Sequence, residues 1–397
     1  MNRKQHNILI LVLGSLTAIG PFSIDMYLPG FPAIARDLHT DIAHVALSLT
    51  SYFIGISIGQ LAYGPLLDRY GRKKPLIAGL LIYIAAAIGC GLSPTIHWLV
   101  ALRFLLAIGS CVGIVAARAI VRDLFPINEV ARIFSTLMLV LGVSPIIAPT
   151  VGAYVADTYS WRFIFAILAA IALCILAGAL RYLPESCPAD ASMSLHPLKI
   201  AREYVGVAKD RKFLAYGMAS AAASGGLFAY ISAAPFVFMT LFGLNEQQFG
   251  WVFGLSACGV IGASQLNRFV LRSWSSRDIS IVAVVAQSVV TVLFVAGVFA
   301  GVPSWGVILM IFGYLVGLGF LSPNTTAMAI EPFTRNAGTA SALMGSMQMA
   351  AGALGSALVS YFHTGTALPM AVLLMLSSLV SFALQMEYRR FEQKVVL

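Results

Sequence analysis

Gly64-Pro-Leu-Leu-Asp-Arg-Tyr-Gly-Arg-Lys-Lys-Pro-Leu76 places five charged residues within the seven positions 68–74. On either side lie apolar blocks at 45–67 and 75–93 that carry no charge at all. Each is the length of a helix that crosses a bilayer, about 20 residues. A break this short, holding Arg69, Arg72, Lys73 and Lys74, reads as a tight loop at a membrane surface between two antiparallel spans. Gly71 permits a tight turn there.

The same pattern runs along all 397 residues, of which 59% are hydrophobic and 10% charged. A soluble globular protein has roughly 45–50% and 25%, so an ordinary water-soluble domain is excluded. A membrane β-barrel is excluded too, because its strands alternate over about ten residues and these blocks do not. Spans are expected near 8–35, 45–67, 75–93, 97–121, 131–156, 161–182, 213–241, 248–271, 279–300, 304–330, 338–361 and 367–386. The fold class is therefore an all-α polytopic membrane protein with 12 transmembrane helices. Met1-Asn-Arg-Lys-Gln-His6 and the apolar run after it resemble a signal peptide. The run continues past Pro21 and Asp25 without a small-residue cleavage site, so it is expected to be an uncleaved first span.

The net charge of +9 comes from 25 Lys and Arg against 16 Asp and Glu. With the N-terminus inside, 21 of the 25 fall on the cytoplasmic side, from Arg3 through the 64–76 loop to Arg335 and Lys394. The opposite side carries Arg36 and Arg162, and Arg103 and Arg118 lie within span 4. That asymmetry predicts both termini in the cytoplasm and explains the basic balance without a nucleic-acid partner. The five cysteines, Cys90, Cys111, Cys174, Cys187 and Cys258, are scattered and give neither a disulfide framework nor a metal spacing. All six histidines, His6, His39, His44, His97, His196 and His363, fall in expected tails or loops, which speaks against a buried metal site.

The longest polar interruption, 183–212, divides the chain into six-span halves, 1–182 and 213–397. Its part from Leu195 to Lys212 mixes apolar with basic positions and suits an amphipathic surface helix; the alternative is a solvated linker. Two such halves are what an alternating-access carrier with a pseudo-twofold axis requires.

Of the 16 acids only Asp25 sits well inside a span, and the basic residues inside are Arg103 and Arg118. A charge at that depth costs at least ~2.5–3.5 kcal/mol and persists where it faces a polar cavity and has a task. By residue count Asp25 and Arg103 lie roughly 15 and 10 Å below the outer surface, so they meet if spans 1 and 4 are neighbours. Arg118 is roughly 22 Å deeper, towards the inner mouth. Pro29 has no N–H for the carbonyl of Asp25, nor Pro21 for that of Thr17, so Gly20 to Pro29 reads as a kinked segment facing a cavity. Burial disfavours a charged carboxylate and a nearby arginine favours it. Asp25 is thus expected to exchange a proton as its distance from Arg103 changes. The alternatives are a permanent structural ion pair and a plain packing kink.

The 64–76 loop resembles the major facilitator superfamily signature G-x-L-x-D-R-x-G-R-K-x-x-L at Gly64, Leu66, Asp68, Arg69, Gly71, Arg72, Lys73 and Leu76. The resemblance implies two pseudo-symmetric six-helix halves and assigns the loop to gating, with topology alone as the alternative. From the residues, Asp68 either caps a helix N-terminus or pairs with an arginine. Ser23-Ile-Asp-Met-Tyr-Leu-Pro29, Arg118-Ala-Ile-Val-Arg-Asp123, Ser232-Ala-Ala-Pro-Phe-Val237 and Ala337-Gly-Thr-Ala-Ser341 resemble the Bcr/CflA group of multidrug exporters. Gly142-Val-Ser-Pro145 and Ala148-Pro-Thr-Val-Gly152 are similar to the span-5 motif of antiporters, so Gly142, Pro145, Pro149 and Gly152 are expected at a moving interface. Arg103 matches the basic residue of the family's span-4 motif, implicated in proton coupling. The glutamine and first glycine usual there are Leu106 and Ala107, and the later glycine is kept as Gly109.

Together these features predict a proton-coupled exporter of small lipophilic drugs in a bacterial inner membrane, monomeric, with protons as the coupling ion and no cofactor. Candidate cavity residues are Tyr27, Tyr52, Tyr230, Phe236, Tyr314, Asn324, Met347 and Gln348, because aromatic, flexible or polar-tipped side chains adapt to varied small molecules. For each, ordinary helix packing is the alternative. An exporter of an endogenous nucleoside, sugar, amino acid or siderophore fits the same framework, and a nontransporting receptor or assembly partner is the reading from another class. No nucleophile with a base, metal cluster or phosphate loop suggests an enzyme.

Overall fold

A computed structural model describes residues 3–190, 195–333, 337–362 and 364–396. Arg335 and His363, read above as loop residues, lie outside them. The described residues form fourteen helices and no strand: α1 Arg3–Asp25, α2 Phe31–Asp37, α3 Ile42–Tyr70, α4 Lys73–Gly91, α5 Ile96–Leu124, α6 Ile127–Thr158, α7 Trp161–Tyr182, α8 Pro197–Ala208, α9 Arg211–Pro235, α10 Glu246–Val270, α11 Ser276–Phe299, α12 Ser304–Ile330, α13 Ala337–Tyr361 and α14 Leu368–Val396. Twelve stretches are long and apolar enough to cross a membrane, as the sequence predicted. α1 and α2 together make span 1, α3 to α7 spans 2 to 6, α9 and the turn after it span 7, and α10 to α14 the rest.

Several helices begin where a short polar residue precedes an apolar block, because the free N–H groups of a first turn need an acceptor. Asp41 caps α3 through His44 N–H at 2.7 Å. Asp210 caps α9 through Phe213 N–H at 2.8 Å. At α10 the Asn245 side chain accepts from Gln248 N–H at 2.8 Å and the Gln248 side chain accepts from Asn245 N–H at 3.1 Å, a reciprocal box.

One irregularity falls where a kinked segment was expected, and one element limit differs from expectation. Span 1 is broken: α1 ends at Asp25, a 3₁₀ turn occupies Leu28–Gly30, and α2 resumes at Phe31. α2 is held to the start of α7 by Asp37, which accepts from Trp161 Nε1 at 3.0 Å and pairs with Arg162. At the other end of the chain, α14 runs to Val396, ten residues beyond the expected 386. Loss of hydrophobicity ends a span but not a helix. Residues 387–393 include good helix formers, and their side chains are held. Glu392 pairs with Arg277 at 2.6 Å, Tyr388 stacks edge-on to Tyr216 at 5.4 Å, and Phe391 lies under the Arg211 guanidinium at 4.3 Å.

The chain forms two compact units, residues 1–201 and 202–397, with the boundary inside α8. In unit 1, α5 packs on α3, α4 and α1, while α1 also packs on α6 and α7. In unit 2, α9 packs on α12, α13 and α14, and α11 on α12 and α14. The core of unit 2 nearest α8 joins Val207, Phe213, Tyr216, Met328, Ala329 and Met344.

Candidate functional site

Asp25 is the last residue of α1. The chain leaves helical geometry just beyond it, with Met26 N–H still bonded to Phe22 O at 3.1 Å and Tyr27 N–H shifted to Ile24 O at 3.3 Å. Pro29 sits in the following 3₁₀ turn, whereas Pro21 is accommodated inside α1. The Asp25 side chain is buried, 5% exposed, and has no ion pair or hydrogen bond among the described residues.

Arg103, on α5, is the largest fully buried side chain, with 0% exposure. α1 and α5 are neighbours, as the depth comparison required. The permanent Asp25–Arg103 ion pair held open as an alternative is absent: the guanidinium makes one hydrogen bond, to a backbone carbonyl, and otherwise lies against rings. Its Nη1 donates to the Ser23 carbonyl at 2.8 Å, two residues before Asp25. The guanidinium carbon lies 4.4 Å from the centroid of the Tyr27 ring and 4.4 Å from that of Tyr52. Such contacts stabilise a desolvated cation by about 2 kcal/mol. Arg103 Nε and Nη2 have no hydrogen-bond partner.

Four residues that the sequence did not single out complete this cage. The Tyr27 hydroxyl meets Ser48 Oγ at 2.9 Å, that of Tyr52 meets Ser110 Oγ at 2.9 Å, and that of Tyr83 meets Ser23 Oγ at 2.7 Å. Each serine donates its own hydrogen back along its helix, to Val45 O, Ala107 O and Ile19 O. With those hydrogens committed, Tyr27 and Tyr83 donate to Ser48 and Ser23, whereas the Tyr52 hydroxyl lies between Ser110 Oγ and the Gly20 carbonyl, the latter at 3.2 Å. A lone Ser in an apolar helix bonds back in this way as a rule, so the sequence carries no signal that it also holds a tyrosine. Arg118, further along α5, is exposed and has no ion pair among the described residues.

The 64–76 loop is held within unit 1 by charge. Of the two roles expected for Asp68, it takes the second and pairs with Arg72. Arg72 Nε also donates to Asp123 Oδ2 at 2.8 Å, and Ser186 Oγ donates to the same oxygen at 2.9 Å. Burial opposes the charge on Arg72, but the hydrogen bonds to Asp123 and Asp68 outweigh it and push its pKa above the ordinary value. The free N-terminus of α4 is served by Glu185, whose two oxygens accept from Arg72 N–H at 2.7 Å and Lys73 N–H at 3.2 Å. Gly71 has φ +81°, and a Cβ there would lie 2.9 Å from Glu185 Oε2, so the seat requires glycine. Lys73 Nζ donates to Leu180 O and Leu183 O at 3.1 and 2.9 Å. Arg69 is half-buried and partnered, and Gly64 has open space around its Cβ position.

Gly142, Pro145, Pro149 and Gly152 all lie in α6, which stays helical through both prolines. A Cβ on Gly152 would fall 2.0 Å from the Met26 carbonyl oxygen. The expected motif glycine thus lets α6 touch the backbone of the break next to Asp25.

Residues 13–356 match the family description Major Facilitator Superfamily. The chain belongs to this superfamily. It is 34% identical over 384 residues to an uncharacterized MFS-type transporter, YdgK, of Bacillus subtilis, covering 95% of this chain and 94% of the relative. It is 31% identical over 372 residues to the bicyclomycin resistance protein homolog of Haemophilus influenzae, covering 93% of each. A crystal structure of a D-xylose-proton symporter aligns with TM-score 0.72 at 15% identity, over 94% of this chain and 97% of that one. The major facilitator fold and the Bcr/CflA-type resemblance read from the motifs both stand. The protein is a multi-pass membrane transporter for small molecules and not an enzyme.

In this superfamily member the cavity candidates of unit 2 divide by burial. Tyr314 is fully buried, its hydroxyl donating to Ala223 O at 3.2 Å with Ser377 Oγ equally close. Asn324 is buried and donates to Asn267 Oδ1 at 2.8 Å. Tyr230 is buried with its ring stacked on Phe253 at 5.9 Å. Phe236, Met347 and Gln348 are half-buried. Phe236 opens a six-residue π turn after Pro235, and Gln348 Nε2 donates to Ser220 Oγ at 2.9 Å. In unit 1, Tyr27 and Tyr52 are the walls of the Arg103 cage.

Proposed function

We propose that the protein is a proton-coupled exporter of small lipophilic compounds, working by alternating access from the cytoplasm outward. In this reading it sits as a monomer in a bacterial inner membrane with both termini cytoplasmic, uses no cofactor, and takes protons as its coupling ion. The observation that carries the reading is Asp25: a buried carboxylate at the break of span 1, without an ion pair or hydrogen bond among the described residues, two residues after the Ser23 carbonyl that Arg103 holds. A carboxylate in that position gains or loses a proton according to what approaches it. Protonation from outside promotes release, and deprotonation towards the cytoplasm readies the site for the next compound.

Flux in proteoliposomes tests this directly. With an imposed pH gradient, wild-type protein is expected to drive uptake or release of a panel of drugs and metabolites and to move protons when one is added. Asp25→Asn is expected to abolish the pH-driven component while leaving passive exchange of the compound. Unchanged pH-driven flux in Asp25→Asn would remove Asp25 as the coupling site.

A further inference from the structure

The last turn of α1 is joined to two other helices through one residue, Ser23. A helix end leaves its last carbonyls without N–H partners from the helix itself. Tyr27 N–H, which would have served the Ser23 carbonyl, bonds to Ile24 O instead, and Arg103 Nη1 of α5 takes its place at 2.8 Å. The side chain of the same serine accepts from the Tyr83 hydroxyl of α4 at 2.7 Å. Ser23 and Tyr83 are both fully buried, so bulk solvent does not compete for that bond.

Tyr83 is fixed to α5 as well. A Cβ on Gly109 would lie 2.5 Å from Tyr83 N and 2.7 Å from its Cα, so the two backbones touch at this level. Gly109 is the glycine kept from the span-4 motif, and this contact accounts for it. Ten residues of unbroken helix, about 15 Å, separate Tyr83 from Lys73 at the start of α4. There the N–H groups of Arg72 and Lys73 rest on Glu185, and the next residue, Ser186, is bonded to Asp123. A rigid helix of this kind delivers a displacement at Tyr83 to the seat of the 64–76 loop.

Few titratable or charged side chains surround the last turn of α1. Asp25 and Tyr27 belong to span 1 itself, Tyr52 comes from α3, Tyr83 and Cys90 from α4, and Arg103 from α5. α6 from 143 to 156 and α7 from 163 to 180 carry no charged residue. The phenols, the thiol and the guanidinium keep their ordinary charge near neutral pH. Asp25 is the one acid in this set, so the charge of the turn changes by one when it takes or loses a proton.

We propose that Tyr83 is the positioning residue through which the charge on Asp25 reaches the 64–76 loop. When Asp25 changes charge, the turn that it ends shifts, the Tyr83–Ser23 hydrogen bond carries the shift into α4, and the N-terminus of α4 moves on Glu185. The inference rests on the export reading for the role of Asp25 and adds a link between its proton and the cytoplasmic loop.

Cys187, beside Ser186 in the segment that seats the loop, is a native reporter. Its carbonyl lies 3.2 Å from the Cβ position of Gly71 and its thiol is partly exposed, so movement of the seat alters its alkylation by N-ethylmaleimide. The test follows that alkylation by mass spectrometry across a pH series, on the full chain in lipid nanodiscs. Each rate is divided by that of the same protein carrying Asp25→Asn at the same pH, which cancels the titration of the thiol itself. In wild type this ratio is expected to change at least about fivefold over the series, the lower end of ordinary coupling between sites. In Tyr83→Phe, which keeps the ring and removes only the hydroxyl, it is expected to stay flat. Ser23→Ala is expected to match that result and the double variant to add nothing, since all three lack the same bond. Tyr63→Phe alters a buried tyrosine of α3 whose hydroxyl makes no hydrogen bond among the described residues, and it is expected to respond as wild type. A wild-type response in Tyr83→Phe would overturn the proposal, as would additive losses in the double variant, a flat ratio in Tyr63→Phe or a flat ratio in wild type. Flux measured alongside separates this failure from failure of the export reading. pH-driven flux that survives Asp25→Asn sinks the coupling role of Asp25, whereas Asp25-dependent flux with a Tyr83→Phe-insensitive ratio sinks only the link to the loop.

Discussion

Replacing Gly152 by alanine places one methyl group between two backbones. Its Cβ would stand 2.0 Å from the Met26 carbonyl oxygen, 2.8 Å from the carbonyl carbon and 3.0 Å from Cα. Ordinary contact begins at 3.4 Å, so α6 and the break of span 1 must separate by about 1.4 Å. No flexible side chain is available to give way, because all three atoms are main chain. Overpacking of this kind costs about 1–3 kcal/mol, and a backbone obstacle puts Gly152→Ala near the top of that range. The same substitution at Gly262, inside α10 with nothing within 4 Å of its Cβ position, is expected to be neutral or to stabilise by up to about 1 kcal/mol through lower chain entropy. The assay is thermal unfolding of both variants in one detergent, followed by pH-driven flux. Gly152→Ala is expected to unfold well below wild type and to lose flux, since the displaced carbonyl is the one after Asp25. A Gly152→Ala midpoint equal to that of Gly262→Ala would show that α6 bends at Pro145 and Pro149 to absorb the methyl, and would refute the close-packing reasoning.

Two further substitutions test the other parts of the site. Arg103→Lys keeps the charge but loses the plane that lies 4.4 Å from both tyrosine rings, so proton-driven flux is expected to fall by about 2 kcal/mol, or ~30-fold; wild-type flux would show that charge alone suffices. Glu185→Gln removes the anion at the exposed N-terminus of α4, and a loss of about 1 kcal/mol is expected in unfolding stability; an unshifted midpoint would mean that solvent serves those N–H groups equally well.

The span count and the irregularity near Asp25 were legible because they depend on local chemistry. Apolar length decides a span, and Pro29 removes a donor wherever it stands. The position of the break was less legible: both Pro21 and Pro29 forbid a hydrogen bond, yet α1 runs straight through Pro21 and yields only after Asp25. The Arg103 cage was half legible. Tyr27 and Tyr52 were selected for their chemistry, but that both rings close on one guanidinium depends on three separate chain segments meeting. Glu185 was invisible for a different reason. A glutamate in a polar linker looks solvated, and only the fold brings it to an N-terminus 112 residues earlier in the chain. The extra helix at the end of α14 escaped notice because hydropathy marks where a membrane ends and says nothing about where backbone hydrogen bonding does.

The guanidinium between Tyr27 and Tyr52 touches only uncharged groups, so no neighbouring anion cancels its charge. Asp25, Arg103 and Arg118 then carry one net positive charge within the spans when Asp25 is ionised, and two when it is protonated. On the proposed cycle the two transits across the membrane differ by one elementary charge even for a neutral cargo. Each such charge carried through the full field is worth ~2.3 kcal/mol per 100 mV. Export would therefore draw on the membrane voltage as well as on the pH gradient, and collapsing the voltage alone would slow it.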